Sequence, residues 1–242
     1  MAINFPVTAG TANLVQYEDV PSFYTVPFSI SFWLRMNAQQ SQGGWVIGFA
    51  RLGSFTNYYS YVLHTYSGGG ATLPIFHFID AAGSWYQVDG KIMDYINTWY
   101  HHTITVNSSY DLKFYTNGAL LNTNTSPTSL NTDSTSGFGL RIGTDGADWS
   151  QFNGQHADFR FYNIELLQPE ISAIYLGRGR DNINNNLITR WTFSEGYPGQ
   201  AMSGAGSIKD MMGNRNGNVY GSPEYYQESF LFKRRRTRYA YK

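Results

Sequence analysis

The sequence predicts an all-β protein, two antiparallel sheets packed as a sandwich, with one short helix and a basic C-terminal tail. Helical periodicity is nearly absent. Short runs rich in Phe, Tyr, Ile, Val and Thr recur between Gly, Asn, Ser and Asp clusters, and many of them alternate apolar with polar residues. The length of 242 residues suits a β sandwich that folds as one domain. With no cysteine, disulfide scaffolds, thiol catalysis and Cys-ligated metal sites are excluded, so stability must come from packing.

In chain order the expected strands are 28–36, 44–51, 58–66, 73–79, 85–88, 99–107, 111–116, 119–121, 137–142, 155–162 and 187–193. The first is the clearest. Phe28, Ile30, Phe32 and Leu34 fall on one face and Ser29, Ser31, Trp33 and Arg35 on the other, as a half-buried strand requires. Ile104 and Val106 alternate with Thr103 and Thr105 in the same way. Asn117-Gly118 separates Phe114-Tyr115-Thr116 from Ala119-Leu120-Leu121, and a type I′ turn, with positive φ at both central residues, is expected there. A helix is expected over 167–177, with Pro169 and Glu170 in its first turn, Ile171, Ile174 and Tyr175 as its apolar stripe, and Gly177 past its end. Residues 122–136, 181–186 and 200–207 read as surface loops.

Charge is unevenly placed. Six of the 17 basic residues lie in the last ten positions, leaving 11 basic against 17 acidic in the rest, a net of −6. The opening Met1-Ala-Ile-Asn-Phe-Pro has neither a basic region nor an apolar run, and no stretch approaches the roughly 20 apolar residues of a membrane helix. The expectation is a protein without a signal peptide or membrane span, made in the cytosol.

Three blocks resemble the laminin G-like branch of the concanavalin A-like lectin/glucanase jelly rolls. The first is Phe28-Ser-Ile-Ser-Phe-Trp-Leu-Arg-Met36. The second, Trp99-Tyr-His-His-Thr-Ile-Thr-Val106 followed by Leu112-Lys-Phe-Tyr-Thr-Asn-Gly-Ala-Leu120, is similar to W-x-H-x-x-x-T … L-Y-x-N-G. The third, from Gly154 to Tyr175, is similar to the closing G-x-I-D-D-x-R-I-Y-N … L-S-x-x-E-I … Y segment. Two departures stand out: a single Asp158 where many relatives carry two adjacent Asp, and Leu167 where a Ser or Thr would cap the helix. The stretch from Leu187 through Pro223 resembles a segment that often opens such domains; here it closes the chain, either as an edge of the same sandwich or on a neighbouring subunit. The resemblance implies a jelly-roll domain over 1–177 followed by a C-terminal strand and loop segment over 178–230, and the basic run marks an anchoring tail over 231–242.

The family includes glucanases and non-catalytic binders, so function rests on sites. The glucanase carboxylates implied by the resemblance, Glu-x-Asp-x-(x)-Glu along one strand, have no counterpart; Glu224 and Glu228 lack the central Asp. No nucleophile elbow, phosphate loop or dinucleotide fingerprint occurs in a usable context. A non-catalytic protein is expected. His101 and His102 are neighbours on one strand, so one should face the core and the other solvent, while His64, His77 and His156 stand alone in the sequence. Asp145 and Asp148, among flexible glycines, offer oxygen ligands to Ca²⁺ or form a polar turn. Tyr58, Tyr59, Tyr61, Trp85, Tyr86 and Trp149 lie beside loops, where an exposed ring can stack on a sugar; Tyr58, Tyr59, Trp85, Tyr86 and Trp149 form the candidate glycan set.

The tail combines an apolar anchor, Phe230 and Phe232, with Lys233, Arg234, Arg235, Arg236 and Arg238 and closing tyrosines Tyr239 and Tyr241. Such a run suits an acidic protein surface, anionic lipid or phosphate backbones. The leading expectation is a virion decoration or minor structural protein, homo-oligomeric, anchored to capsid or tail proteins by residues 230–241 and presenting glycan-binding loops. A free carbohydrate-binding lectin is the alternative, and nucleic acid bound through the tail is the third.

Overall fold

The computed structural model describes residues 1–6, 13–18, 23, 25–38, 44–51, 59–68, 71–90, 96–131, 138–144 and 151–227. The strands are β1 (Ala2–Phe5), β2 (Leu14–Glu18), β3 (Phe28–Met36), β4 (Gly44–Arg51), β5 (Tyr59–Gly68), β6 (Ala71–Ile79), β7 (Trp85–Asp89) and β8 (Trp99–Val106). They continue with β9 (Leu112–Thr116), β10 (Ala119–Asn124), β11 (Phe138–Ile142), β12 (Gly154–Tyr162), β13 (Leu187–Trp191), β14 (Gly204–Ile208), β15 (Gly217–Tyr220) and β16 (Glu224–Tyr226). The helix α1 spans Gln168–Gly177. Sheet one runs β10-β9-β8-β3-β12-β1-β16, with β13 also on β12; sheet two runs β14-β15-β2-β11-β4-β5-β6-β7. Every pairing within them is antiparallel, the arrangement expected of a jelly-roll sandwich.

The alternation read from the sequence builds the core. Phe28, Ile30, Phe32 and Leu34 of sheet one meet Phe49, Tyr61, Leu63, Phe76 and Phe78 of sheet two. Phe28 stacks on Phe161 at 5.5 Å and lies 5.1 Å from Tyr61, which in turn stacks on Phe76 at 5.7 Å, so a train of rings joins the sheets. Tyr61, expected beside a loop, is in this core and fully buried, because β5 alternates inward at 61 and 63. Both neighbouring histidines are also buried, against the expectation of one solvated ring. His102 faces the core against Phe32 and Phe114, while His101 faces outward and is covered by Trp33 and Tyr175, the latter from α1. The helix is what removes the expected solvent. His156 is in the core too, between Phe5, Phe32 and Phe152.

Asn117 and Gly118 both take positive φ, 51° and 80°, which the β9–β10 turn requires. Ser172 Oγ and Gln168 Nε2 of α1 donate to the Gly118 carbonyl, so the turn anchors the helix. With no side-chain oxygen on Leu167, the helix start relies on Glu170, whose Oε2 accepts the Leu167 N–H at 2.8 Å. Gly177 is the last helical residue and Arg178 takes the left-handed position, one residue later than expected. The glycine serves a different need: a Cβ there would come within 2.8 Å of Asp181.

Asp181 belongs to a buried charge network on the outer face of sheet one. Arg160 donates to Asp158 at 2.6 Å and to both oxygens of Asp181, Arg190 Nε donates to Asp158 at 2.7 Å, and Arg190 Nη2 reaches the Gly179 carbonyl. Burial alone would raise Asp158, but the two guanidiniums outweigh it and hold its carboxyl low. The network ties β12, β13 and the loop after α1 together.

The C-terminal stretch pairs within its own chain. β13 lies on β12, β15 on β2 and β16 on β1. Asp210 organises the turn between β14 and β15, its carboxylate accepting the N–H groups of Arg190, Met212, Asn214 and Arg215. Residues 204–208 form strand β14 although they read as loop, since a Gly-rich edge strand carries no side-chain alternation.

Candidate functional site

The outer face of sheet two carries a run of rings. Direct register partners Gly48, Val62, His77 and Gln87 form one row across β4, β5, β6 and β7, and Trp45, His64, Ile75 and Asp89 form the next. A register shift between Trp45 and Ile47 turns Trp45 outward beside Gly48, and its indole covers that glycine so closely that a Cβ would lie 2.1 Å from the ring. Val62 and Ile79 pack with Trp45 on this face. His64 and His77 stack at 4.7 Å with only 13° between their planes, and His77 meets Trp85 edge-on at 5.3 Å.

The site is placed by the turn between β6 and β7. Asp80 Oδ1 accepts the N–H groups of Ala82 and Ser84 at 2.9 and 2.8 Å, the Asp80 N–H donates to the Ser84 carbonyl, and Gly83 takes φ 83°. Those N–H bonds and the Tyr86 hydroxyl, which donates to Asp80 Oδ2 at 3.1 Å, keep the Asp80 carboxyl below the usual carboxylate range. The turn fixes Trp85 at the start of β7, where its indole is 48% exposed. Burial, and then the charge of His77, lower His64 to about 4; burial also lowers His77. Near neutral pH both rings are uncharged, each with one donor and one acceptor nitrogen. Two neutral imidazoles beside an exposed indole suit the apolar face and hydroxyl edge of a sugar.

Of the glycan candidates, Trp85 is on this face. Tyr86, next to it on β7, points inward against the core with its hydroxyl on Asp80. Tyr59 is the first residue of β5, opposite Ala50. Tyr58 and Trp149, the calcium candidates Asp145 and Asp148, and the tail residues Phe230, Phe232, Lys233, Arg234, Arg235, Arg236, Arg238, Tyr239 and Tyr241 lie outside the described residues. Among the described residues no three His, Asp or Glu side chains converge on a metal-ligating position. No helix among them is long and apolar enough to cross a membrane. His64 and His77 stand alone in the sequence; the pairing of β5 with β6 is what places these residues, 13 apart, on diagonal positions of one face.

The two-sheet antiparallel fold defines a lectin-like domain of the concanavalin A type. The chain belongs to the concanavalin A-like lectin/glucanases superfamily, whose model matches residues 9–172. Among solved structures it is similar to a candidate carbohydrate binding protein from Bacteroides ovatus, with TM-score 0.64 and 19% identity over 94% of this chain and 60% of that one. It is also similar to the heptameric SAP-like pentraxin of Limulus polyphemus, with TM-score 0.58 and 14% identity over 72% of this chain and 81% of the other. The binding domain of botulinum neurotoxin DC, solved with SialylT, aligns with TM-score 0.50 and 20% identity over 68% of this chain and 39% of that one. The chain thus spans less than two thirds of the bacterial protein and well under half of the toxin domain. No curated protein sequence matches it.

Proposed function

We propose that the protein is a non-catalytic glycan-binding module that uses the outer face of sheet two, and that it serves as a surface component of a larger assembly such as a virion. One observation carries the glycan reading: the His64–His77–Trp85 run ends in an indole left half exposed while its neighbours Trp45, Val62 and Ile79 are buried. The kinship to glycan-binding folds, including a toxin domain solved with SialylT, supports the same reading. The carboxylates favour binding over hydrolysis. A glycosidase acid needs a raised pKa, whereas Asp80 and Asp158 are both lowered and Asp158, Asp181 and Asp210 are already engaged by cations or N–H groups.

A glycan array on the full chain, followed by titration of the best neutral ligand against W85A, tests the site. The expected result is at least a tenfold loss with melting unchanged; array silence, or W85A binding like the parent, overturns it. The assembly part rests on the sequence of the tail. Peptide mass spectrometry of density-banded particles should find the chain in fixed ratio to the main shell protein, and its absence from particles would leave a free lectin.

A further inference from the structure

We infer that the outer face of sheet one holds a second ligand site, centred on Arg35, that takes the carboxylate of an acidic sugar. Register aligns Glu224, Asn4, Gln155, Arg35 and Trp99 across β16, β1, β12, β3 and β8, so all five belong to one outward row. Arg35 Nη2 donates to Asn97 Oδ1 at 2.8 Å, and Nη1 donates to Gln155 Oε1 and to Asn37 Oδ1. Gln155 is buried, and its Nε2 donates to Asn4 Oδ1 and Asn37 Oδ1, both at 2.6 Å. Asn37 Nδ2 in turn donates to Asn153 Oδ1 at 3.2 Å. The amides therefore orient one another and hold the guanidinium in one place.

The charge of that guanidinium is left over. Among the described residues no carboxylate pairs with Arg35, whereas Arg160 and Arg190 share Asp158 and Lys113 binds Glu165. Glu224, at the far end of the row, is three strands from Arg35, roughly 14 Å at the usual strand spacing. Neutral amide oxygens position a cation without cancelling it. The three bonds made to Nη1 and Nη2 leave Nε–H open to solvent on the half-buried side chain. Nε–H and the second N–H of Nη2, whose first goes to Asn97, are the donors left for the two oxygens of a planar carboxylate.

The surroundings point to a sugar acid. Tyr226 lies over the guanidinium at 5.4 Å, and Trp99 stands beside Arg35 in register, so half-buried rings flank the charge. Asn4 and Asn97 at its rim accept bonds through their Oδ1 atoms and keep amide donors for hydroxyls. Acidic peptides would meet the same arginine, but they would leave this amide ring without hydroxyl partners. The site lies on the sheet opposite the Trp85 surface and stands whether or not that surface binds glycans.

Heteronuclear NMR of the full chain, followed through the assigned indole N–H signals of Trp99 and Trp85, tests it. Methyl glucuronide and methyl glucoside differ only in the carboxylate. The Trp99 signal should shift with glucuronide at concentrations at least tenfold below those needed with glucoside. R35Q should abolish that preference, and R35K, which keeps the charge without the fork, should lose most of it, with melting recorded for both. Equal responses to the two sugars, or a preference that survives R35Q, would overturn the site. So would an equal Trp99 shift with inorganic sulfate, which would mean capture of any oxyanion, or with a glutamate peptide, which would mean a protein partner. A Trp85 response to glucoside reports on the other face, so either site can fail alone.

Discussion

The outer faces of the two sheets treat polar side chains in opposite ways. On sheet one, beside α1, Asp158, Arg160, Asp181 and Arg190 satisfy one another in a buried network. On sheet two, His64, His77 and Trp85 make ring contacts with one another, and the indole at the end reaches solvent. A covering helix explains the difference: Tyr175 closes over Trp33 and His101, so polar groups beneath α1 must pair internally. On β7, where Trp85 is 48% exposed, the same kind of residue stays available to a ligand.

Acid should break both faces and the core at once, with the largest effect. His101, His102 and His156 are each lowered from 6.5 to about 3, by burial first and then by neighbouring charges, Arg160 on His101 and a histidine on each of the others. Because the folded pKa lies below the unfolded one, the unfolded chain binds more protons between pH 6.5 and 3, and stability falls as pH falls through that window. Three such groups give a slope of roughly 4 kcal/mol per pH unit, enough to exhaust a typical stability of about 6–10 kcal/mol between about pH 5 and 4. Circular dichroism should show cooperative unfolding between about pH 5 and 4. His156→Phe, in a cage of Phe5, Phe32 and Phe152, should lower that midpoint by about half a unit or more; an unchanged midpoint would mean that His156 does not drive the transition.

Next in size is Arg160→Leu. It leaves Asp158 and Asp181 buried without their shared cation, for an expected loss of about 3–5 kcal/mol in urea unfolding. Binding at the Trp85 face, measured below the new melting point, should stay within twofold. A smaller loss of stability would show that Arg190 on Asp158 and the Ile183 N–H on Asp181 hold those carboxylates without Arg160.

Much of this architecture was legible in the chain. The alternation of 28–36 places its inward and outward residues correctly, and Asn117-Gly118 locates its turn, because each depends on a local rule. The strands β1, β2, β14, β15 and β16 were not legible: β1, β2, β15 and β16 are short pieces with pairing partners far away in sequence, and β14 is a Gly-rich edge strand without alternation. The site was half legible. Trp85 stood out as a ring beside a turn, but His64 and His77 become neighbours only through strand register, and Arg35 becomes an open cation only because amides from β1, β12 and the loops after β3 and before β8 converge on it. Such convergence has no spacing signature.

Gly48→Ala sharpens the comparison at moderate cost. The new methyl would meet the Trp45 indole at 2.1 Å, so the ring must move away from β4. Overpacking of this kind costs typically 1–3 kcal/mol. Trp45 is paired in register with His64, so glycan affinity on sheet two should fall as well, while the Trp99 response of sheet one stays as it was. Loss of both responses would show that the two faces are coupled through the core.

The smallest effect on stability is expected at Trp85, and it is best read against Trp33. Both indoles point outward from their sheets, but Trp33 is 4% exposed beneath Tyr175, and Trp85 is 48% exposed. Trp33→Ala removes a buried ring and should cost about 3–5 kcal/mol. Trp85→Ala removes one whose exposed half already meets water, so the loss, its edge contact with His77 included, should stay within about 1 kcal/mol. Paired melting curves decide between the two roles. A Trp85→Ala variant as unstable as Trp33→Ala would make the exposed indole a structural cap of β6 and β7, and a stable variant that no longer binds sugar would keep it as the contact surface of the lectin face.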